Sequence, residues 1–311
     1  MNEGRKGENS VQNAIVRDGA YMRRLKDALY AQYGIAALEI TPACRGYYGE
    51  TWKVCADSGC YFLKIDALPF HQTRYRRSLS VIEYLCENGI DFVGTIIRTR
   101  QNALCFDFDA AVAALFAWVD GENVETDETK TPEYQMLCKI YRLTKPGLGI
   151  PGASFSDDAA VRFYEQWDAL KRAPQTDANR AALAVLESYK AKTDHCAARL
   201  AHFAARCRQH PAAFYLTHGD AGGNFFVGNG RNYILDWDEV MYAPLERDAW
   251  VMGCYDWARR LFNDTLQANG IDDRLCPERL AFYCYHMFFF YLGEFLQSIR
   301  CRTKAADTGV F

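Results

Sequence analysis

The 311-residue sequence has no marked excess of charge and no apolar run that reads as a membrane span. Its 36 basic and 39 acidic residues give a net charge of −3, whereas nucleic-acid-binding proteins usually carry a basic excess. The opening MNEGRKGENSVQNA lacks the apolar core of a secretion signal. The run Ala110–Val119 is shorter than the roughly 20 residues of a membrane span, and Ala281–Leu296 is interrupted by His286 and Glu294. We therefore expect a soluble, cytoplasmic protein that binds neither nucleic acid nor membrane.

Internal repeats and low-complexity tracts are also missing. Half of the residues are apolar and 14% are aromatic, which is ample for a large core and excludes intrinsic disorder and collagen-like structure. A chain of this length is expected to form two compact units or one unit with two lobes.

The twelve cysteines include no CxxC pair and no zinc-finger spacing. An even number could indicate disulfides, but a long chain without a secretion signal is more typical of a reducing compartment. We expect reduced, mostly buried thiols.

The pattern of residues changes from strand-like to helical near residue 120. A helix at 11–33 precedes strand candidates that include Thr51–Ala56 and Tyr61–Asp66, and a helix is predicted at 74–88. After the acidic segment 120–130 the chain is mainly helical, apart from a hairpin around Asn229-Gly230. The sequence predicts an α+β fold with a β-rich lobe at 1–119, carrying an antiparallel sheet, and a mainly helical lobe at 120–311.

The segment 216–238, LTHGDAGGNFFVGNGRNYILDWD, carries the candidate chemistry. Asp220 is followed by two glycines and by Asn224, and the hairpin returns the chain so that Asp236 can lie near Asn224. Carboxylate and amide oxygens suit Mg²⁺, which often binds one or two carboxylates together with substrate phosphates. Each short motif alone is more often a turn or surface loop, but the combination is specific.

These residues resemble the aminoglycoside phosphotransferase and choline kinase family, which has the protein-kinase-like fold. The family carries an HGD or HxD loop, an asparagine shortly after it and an aspartate after a β-hairpin; here they are His218-Gly219-Asp220, Asn224 and Leu235-Asp236-Trp237. The similarity covers roughly residues 30–300, and among family members the chain looks most like spectinomycin-type antibiotic phosphotransferases. The resemblance implies a kinase with a small-molecule alcohol as acceptor.

The resemblance also implies the roles of the central residues. Asp220 would orient the acceptor hydroxyl and take its proton, and Asn224 and Asp236 would hold Mg²⁺ on the phosphates of ATP or GTP. His218 is expected to brace the loop, and Asp248 is expected to be structural.

Lys64 stands within the apolar strand CYFLKID, where an unpaired ammonium would be costly to bury. The resemblance assigns it to the α- and β-phosphates. A helix glutamate usually pairs with this lysine; Glu83 is the only glutamate well inside the helix at 74–88, and it could equally be a solvated residue.

Two further segments are assigned to the nucleotide by their position. Gly46 and Gly49, between the first two strands, would let the backbone cover the phosphates. Phe116, Ala117 and Trp118 would form the hinge whose backbone groups bind the adenine edge, a reading compatible with a buried apolar strand.

The loop departs from the family at one point, because three residues rather than four separate Asp220 from Asn224. We expect Gly222 and Gly223 to compensate by adopting positive φ angles, so that Asn224 still reaches the metal. In the alternative, Asn224 falls short and water or Asp238 takes its place.

The acceptor is less well defined by the sequence. Residues 218–273 contain ten acidic residues and four arginines, which would attract a cationic acceptor such as an aminoglycoside or an amino alcohol, or reflect only an acidic surface. A choline or homoserine-type kinase, and a weakly active or non-catalytic kinase-like protein that binds nucleotide or a partner, remain alternatives.

Overall fold

The computed structural model describes residues 17–43, 49–210 and 212–308, with side chains up to 299. Its contacts divide the chain into two compact units. The first contains residues up to Ile150 together with Asp220–Val240, and the second contains Pro151–Gly219 together with residues from Met241 onward. This grouping differs from the predicted boundary at residue 120, which stays a prediction.

The first unit is built on an antiparallel sheet. Its elements in chain order are α1 (Gly19–Tyr33), β1 (Glu39–Pro42), β2 (Gly49–Ala56), β3 (Gly59–Asp66), α2 (Pro69–Glu87), β4 (Ile96–Ile97), β5 (Phe106–Phe108), β6 (Ala111–Ala117), β7 (Gly121–Asn123) and α3 (Lys130–Tyr141). The strand order is β1-β2-β3-β6-β4, with β5 also paired to β6, and every pairing is antiparallel. Helix α1 packs against this sheet through Leu25 and Leu29, which are fully buried.

Helix α1 shows how local sequence sets the element boundaries. The Asp18 side chain accepts a hydrogen bond from the Tyr21 amide at 2.7 Å, which caps the start of the helix. Gly34 ends the helix in the left-handed region at φ 76°. The described helix therefore begins later than the predicted residue 11; residues 11–16 lie outside the described residues.

The segment returning from the second unit adds a hairpin to the first. Strands β9 (Phe225–Gly228) and β10 (Arg231–Ile234) are antiparallel, and β9 also pairs with β7. Asn229 and Gly230 form the turn with φ values of 52° and 72°, as a tight hairpin requires. The predicted Asn-Gly hairpin is confirmed, and a 3₁₀ turn at Trp237–Glu239 follows it.

The second unit is mainly helical. It contains α4 (Asp158–Arg172), α5 (Asp177–Ser188), α6 (Lys190–Gln209), β8 (Tyr215–Thr217), β11 (Met241–Ala243), α7 (Glu246–Ala249), α8 (Asp256–Ala268) and α9 (Pro277–Thr308). Its core is a cluster of aromatic and aliphatic side chains on α4, α6 and α9, including Phe163, Trp167 and Phe289. The predicted α+β class, with an antiparallel sheet early in the chain and helices later, is confirmed. No helix in the described ranges is both long and apolar enough to cross a membrane.

One cysteine pair differs from the expectation of reduced thiols. Cys55 and Cys60 are directly opposite each other on β2 and β3, with Cα atoms 4.2 Å apart, and they form a disulfide. The hairpin register brings them together, which their spacing alone did not indicate. Among the free cysteines that the structure describes, Cys138 and Cys207 are buried, whereas Cys86 and Cys254 are exposed.

Candidate active site

A tight turn joins Asp220 to Asn224. The Asn224 backbone amide donates to the Ala221 carbonyl at 3.2 Å, and the turn is completed by a bond from Phe225 to Gly222 at 3.4 Å. The Asn224 side-chain nitrogen donates to the backbone carbonyl of Asp220 at 2.9 Å and to its carboxylate at 3.2 Å. The short loop therefore still brings Asn224 to Asp220. Asp220 is exposed to solvent.

The expectation of positive φ angles at the paired glycines is wrong, since neither Gly222 nor Gly223 has one. Both positions are instead crowded by neighbouring side chains, which would have to shift to admit a Cβ. A Cβ at Gly223 would lie 2.9 Å from Oδ1 of Asp220, and one at Gly222 would lie 2.8 Å from Nζ of Lys130. Lys130 and its partner Glu133 are both buried, with Nζ and Oε2 2.9 Å apart.

In the second unit, the chain leading to this loop is held by Arg247 and Asp248. Arg247 donates to the carbonyl and hydroxyl of Thr217 at 3.2 and 3.0 Å. Asp248 accepts from the backbone amides of His218 and Gly219. Gly219 has φ 96°, and a Cβ there would collide with the Arg247 guanidinium. Asp248 therefore holds the backbone at His218 and Gly219. His218 itself is buried.

Asp236 follows β10, in a segment that bonds to Asn224 through the preceding residue. The backbone amide of Leu235 donates to the Asn224 carbonyl at 3.1 Å, so the two metal-ligand candidates belong to adjoining segments. Asp236 adopts the left-handed conformation at φ 62° and ψ 63°, which is uncommon outside glycine and tolerated best by aspartate and asparagine. Its side chain is 48% exposed, so the carboxylate remains accessible.

These two residues fit a magnesium ion that also binds phosphate. Asn224 uses its amide nitrogen toward Asp220, which leaves the amide oxygen for a cation. Within the ranges that the structure describes, no three His, Cys, Asp or Glu side chains converge as a complete metal site. Mg²⁺ commonly takes one or two carboxylates and completes its coordination with phosphate oxygens and water.

Lys64 is brought to the same place by β3. Its Nζ lies 2.6 Å from a carboxylate oxygen of Asp236 and 2.6 Å from one of Asp238. Burial lowers the pKa of Lys64, but the two carboxylates outweigh burial and hold the pKa above its ordinary value. The sequence prediction singled out the lysine and Asp236 separately, and the structure brings them together.

Of the two alternatives for Glu83, the structure does not show the pairing with Lys64. Glu83 forms its ion pair with Arg98, whereas the ion-pair partners of Lys64 are Asp236 and Asp238. Helix α2 begins at Pro69, five residues before the predicted start at 74, so Glu83 falls near the end of the helix. The helix places the ring of Tyr75 at 5.7 Å from Lys64 Nζ.

The glycines assigned to the phosphates are only partly visible in the structure. Gly46 lies outside the described residues. Gly49 begins β2, where a Cβ would stand 2.1 Å from the Ile65 carbonyl. Close packing against β3 is therefore reason enough for glycine at 49, and a contact with phosphate stays a prediction.

The three hinge candidates lie at the end of β6. Phe116 is 9% exposed and packs near Phe62, and the Ala117 amide already donates to the Thr95 carbonyl at 2.9 Å. The indole of Trp118 donates to Asp120 at 2.6 Å. The Ala117 amide is therefore occupied, and adenine contacts through the other backbone groups of this segment stay a prediction.

Sequence reasoning considered Asp238 only as a substitute for Asn224 at the metal, and it gave no role to the other charged residues near Lys64. Asp238 is 6% exposed; burial raises its pKa, although the Lys64 ammonium acts in the opposite direction. His71 on α2 bonds to Asp66, and its other ring nitrogen lies 3.7 Å from Glu239. Burial lowers the pKa of His71, but Asp66 and Glu239 outweigh it and raise the pKa to about 9. The second aspartate of Asp236-Trp237-Asp238 is the signal that could have identified this group.

Solved structures with the same fold include several antibiotic kinases. Spectinomycin phosphotransferase APH(9)-Ia in complex with ADP and spectinomycin is 18% identical, with a TM-score of 0.75 over 90% of this chain and 88% of that one. Macrolide 2′-phosphotransferase MphH from Brachybacterium faecium is 15% identical, with a TM-score of 0.55 over 92% and 93%. Amicoumacin kinase hAmiN in complex with AMP-PNP, Ca²⁺ and Ami is 14% identical, with a TM-score of 0.57 over 92% and 94%. The predicted kinase-like fold class is confirmed.

Sequence comparisons give the family. No curated protein matches the chain significantly. The model of the phosphotransferase enzyme family matches residues 39–283, a range that contains Lys64, Asp220, Asn224 and Asp236. The chain therefore belongs to the phosphotransferase enzyme family, as its motifs predicted, and is a nucleotide-dependent phosphotransferase.

Proposed function

We propose that this enzyme transfers the γ-phosphate of ATP or GTP to a hydroxyl group of an aminoglycoside-like or amino-alcohol acceptor. The observation that carries the proposal is the arrangement of Asp220, Asn224, Asp236 and Lys64 in one unit. Asn224 bonds to Asp220, the segment before Asp236 bonds to Asn224, and Asp236 bonds to Lys64. A nucleoside triphosphate as co-substrate is consistent with a cytoplasmic location.

Each residue has a role that follows from its surroundings. Exposed Asp220 is the catalytic base: it orients the acceptor hydroxyl and receives its proton as the phosphoryl group is transferred. Asn224 and Asp236 would hold Mg²⁺. When bound, this ion would neutralise negative charge on the phosphates. Lys64 would bind the α- and β-phosphates, because its ammonium is charged and held next to Asp236.

The class of acceptor is proposed on two grounds. The similar solved structures named above are kinases of spectinomycin, macrolides and amicoumacin. The excess of acidic over basic residues at 218–273 would attract a cationic molecule. Choline, a cation, satisfies the second ground alone, whereas homoserine is a zwitterion without net charge and is kept only as an alternative for the screen.

A substrate screen tests this proposal. Mg²⁺–ATP and Mg²⁺–GTP are each incubated with a panel of aminoglycosides, spectinomycin, macrolides, choline, homoserine and simple sugars, and mass spectrometry detects phosphorylated acceptor. Asp220→Asn, carried through the same panel, controls for contaminating kinases. A phosphorylated antibiotic or amino alcohol that requires Asp220 supports the proposal. Nucleotide binding without transfer to any member of the panel favours the non-catalytic alternative.

A further inference from the structure

Lys64 is held by two carboxylates that have different surroundings. The side chain of Asp236 is 48% exposed, whereas that of Asp238 is 9% exposed, and each lies 2.6 Å from Lys64 Nζ. Asp236 can therefore turn toward a ligand in solvent. Asp238 is enclosed together with the lysine, whose own side chain is 11% exposed.

The enclosed position of Asp238 is fixed by its neighbours in sequence. Trp237 is 1% exposed, and its indole donates to the Ile234 carbonyl at 2.8 Å. Arg74 on α2 forms an ion pair with the Glu239 carboxylate and donates to the Glu239 backbone carbonyl at 3.2 Å. The residues before and after Asp238 are therefore both held in place. The second of them, Glu239, is held by Arg74 of α2.

Helix α2 offers Lys64 no carboxylate of its own. The only acidic residues of the helix are Glu83 and Glu87. Glu83 is paired with Arg98, and Glu87 is exposed at the last position of the helix. The residue that α2 presents to the ammonium is Tyr75. A carboxylate partner for Lys64 must therefore come from a segment other than α2.

We propose that Asp238 is the positioning residue for Lys64. This inference rests on the proposed function of Asp236 as a metal ligand. When Asp236 turns to a metal ion on the nucleotide, Asp238 keeps the ammonium in place, so that Lys64 binds phosphate instead of competing for Asp236. Asp238 thereby has the role that the family resemblance assigns to a helix glutamate.

The first test is a magnesium titration of nucleotide binding, measured by calorimetry with ADP so that turnover is not required. In Asp238→Asn the lysine is left with Asp236 as its charged partner, so the metal must displace it. The Mg²⁺ concentration for half-maximal binding is expected to rise about 10-fold, the size of one charge-assisted hydrogen bond. The matched control is Glu83→Gln, which should leave the magnesium dependence unchanged. An unchanged dependence in Asp238→Asn, or a shift in the control instead, overturns the proposal.

A double-mutant cycle separates this role from direct binding of metal by Asp238. If Asp238 acts through Lys64, then Asp238→Asn has no further effect on the magnesium dependence in a Lys64→Met background. If Asp238 binds the metal itself, the substitution shifts the dependence equally in both backgrounds, which contradicts the proposal.

Thermal unfolding tests the pairing even if the protein transfers no phosphate and binds no nucleotide. Lys64→Met should lower Tm because it leaves the charge of Asp238 enclosed without its lysine. Adding Asp238→Asn should recover part of the loss, and adding Asp236→Asn should recover less because that carboxylate is half exposed. Equal recovery, or a further loss on adding Asp238→Asn, overturns the proposal. Failure of the substrate screen alone would instead count against the proposed function.

Discussion

Gly223 lies directly against the carboxylate of Asp220. A Cβ at position 223 would stand 2.9 Å from Oδ1 and 3.3 Å from Oδ2 of the aspartate. Contacts this short force one of the two groups to move. The absence of a side chain at 223 therefore preserves the orientation of the proposed base.

We expect Gly223→Ala to lower turnover by about 10- to 100-fold, because a displacement of about 1 Å at a catalytic group can have that effect. Stability should change little, since Gly223 is exposed and its φ is not positive. Gly152→Ala is the matched control: that glycine is also exposed, and a Cβ there would meet no atom within 4 Å. Steady-state kinetics and thermal melts of both variants make the comparison. Wild-type turnover in Gly223→Ala would show that the Asp220 orientation does not depend on this contact.

Asp236→Ala should abolish magnesium-dependent nucleotide binding, because the phosphates lose a carboxylate that holds the bridging cation. Lys64 keeps Asp238 in this variant, so the fold should remain intact. Calorimetry with ADP, with Mg²⁺ and with EDTA, measures the effect. If the affinity gained on adding Mg²⁺ equals that of the wild type, Asp236 is not a metal ligand.

His71 makes the stability of the first unit depend on pH. Its pKa rises from the ordinary 6.5 to about 9 in the folded state, with Asp66, Glu239 and Asp238 as the charged groups that raise it against burial. The stabilisation is complete below about pH 6.5 and is lost as the pH rises through 9, because the folded state holds the proton more tightly than the unfolded state. Its size is on the order of 3 kcal/mol, because the two pKa values differ by about 2.5.

Urea unfolding of the wild type and of His71→Asn, at several values between about pH 6 and about pH 9.5, isolates this contribution. The difference in unfolding free energy between the two proteins should shrink as the pH rises. A difference that stays constant across this range would contradict the assignment of the charge to His71.

The tight turn from Asp220 to Asn224 and the hairpin could be predicted because their signals are local. Asn229-Gly230 indicates a tight turn between strands, and that turn returns the chain to Asn224. Lys64 could be identified because a charged residue in an apolar strand requires a partner or a ligand. These inferences need only residues that are close in sequence.

Contacts between distant segments could not be predicted in the same way. The partner of Lys64 depends on where α2 begins and on which of its faces is buried, and the sequence pattern placed its start five residues late. The glycines at 222 and 223 were interpreted through backbone freedom, but the groups that crowd these positions are Lys130 and the Asp220 carboxylate. The first of these comes from a helix about 90 residues earlier in the chain, a contact that only the folded structure shows.

The pairing of Cys55 with Cys60 has a similar origin. The expectation of free thiols rested on the compartment and on chain length, whereas the disulfide follows from the register of β2 against β3. A shift of one residue in that register would place the two side chains on opposite faces of the sheet.

The turnover of Asp220→Asn tests the central claim most directly. Asparagine keeps the shape of the side chain and removes the proton acceptor, so transfer to the acceptor found in the screen should fall about 100-fold or more. Nucleotide affinity, measured on the same preparation, should change little, because Asp220 is assigned to the acceptor and not to the phosphates. Turnover close to that of the wild type would contradict the claim that Asp220 is the catalytic base.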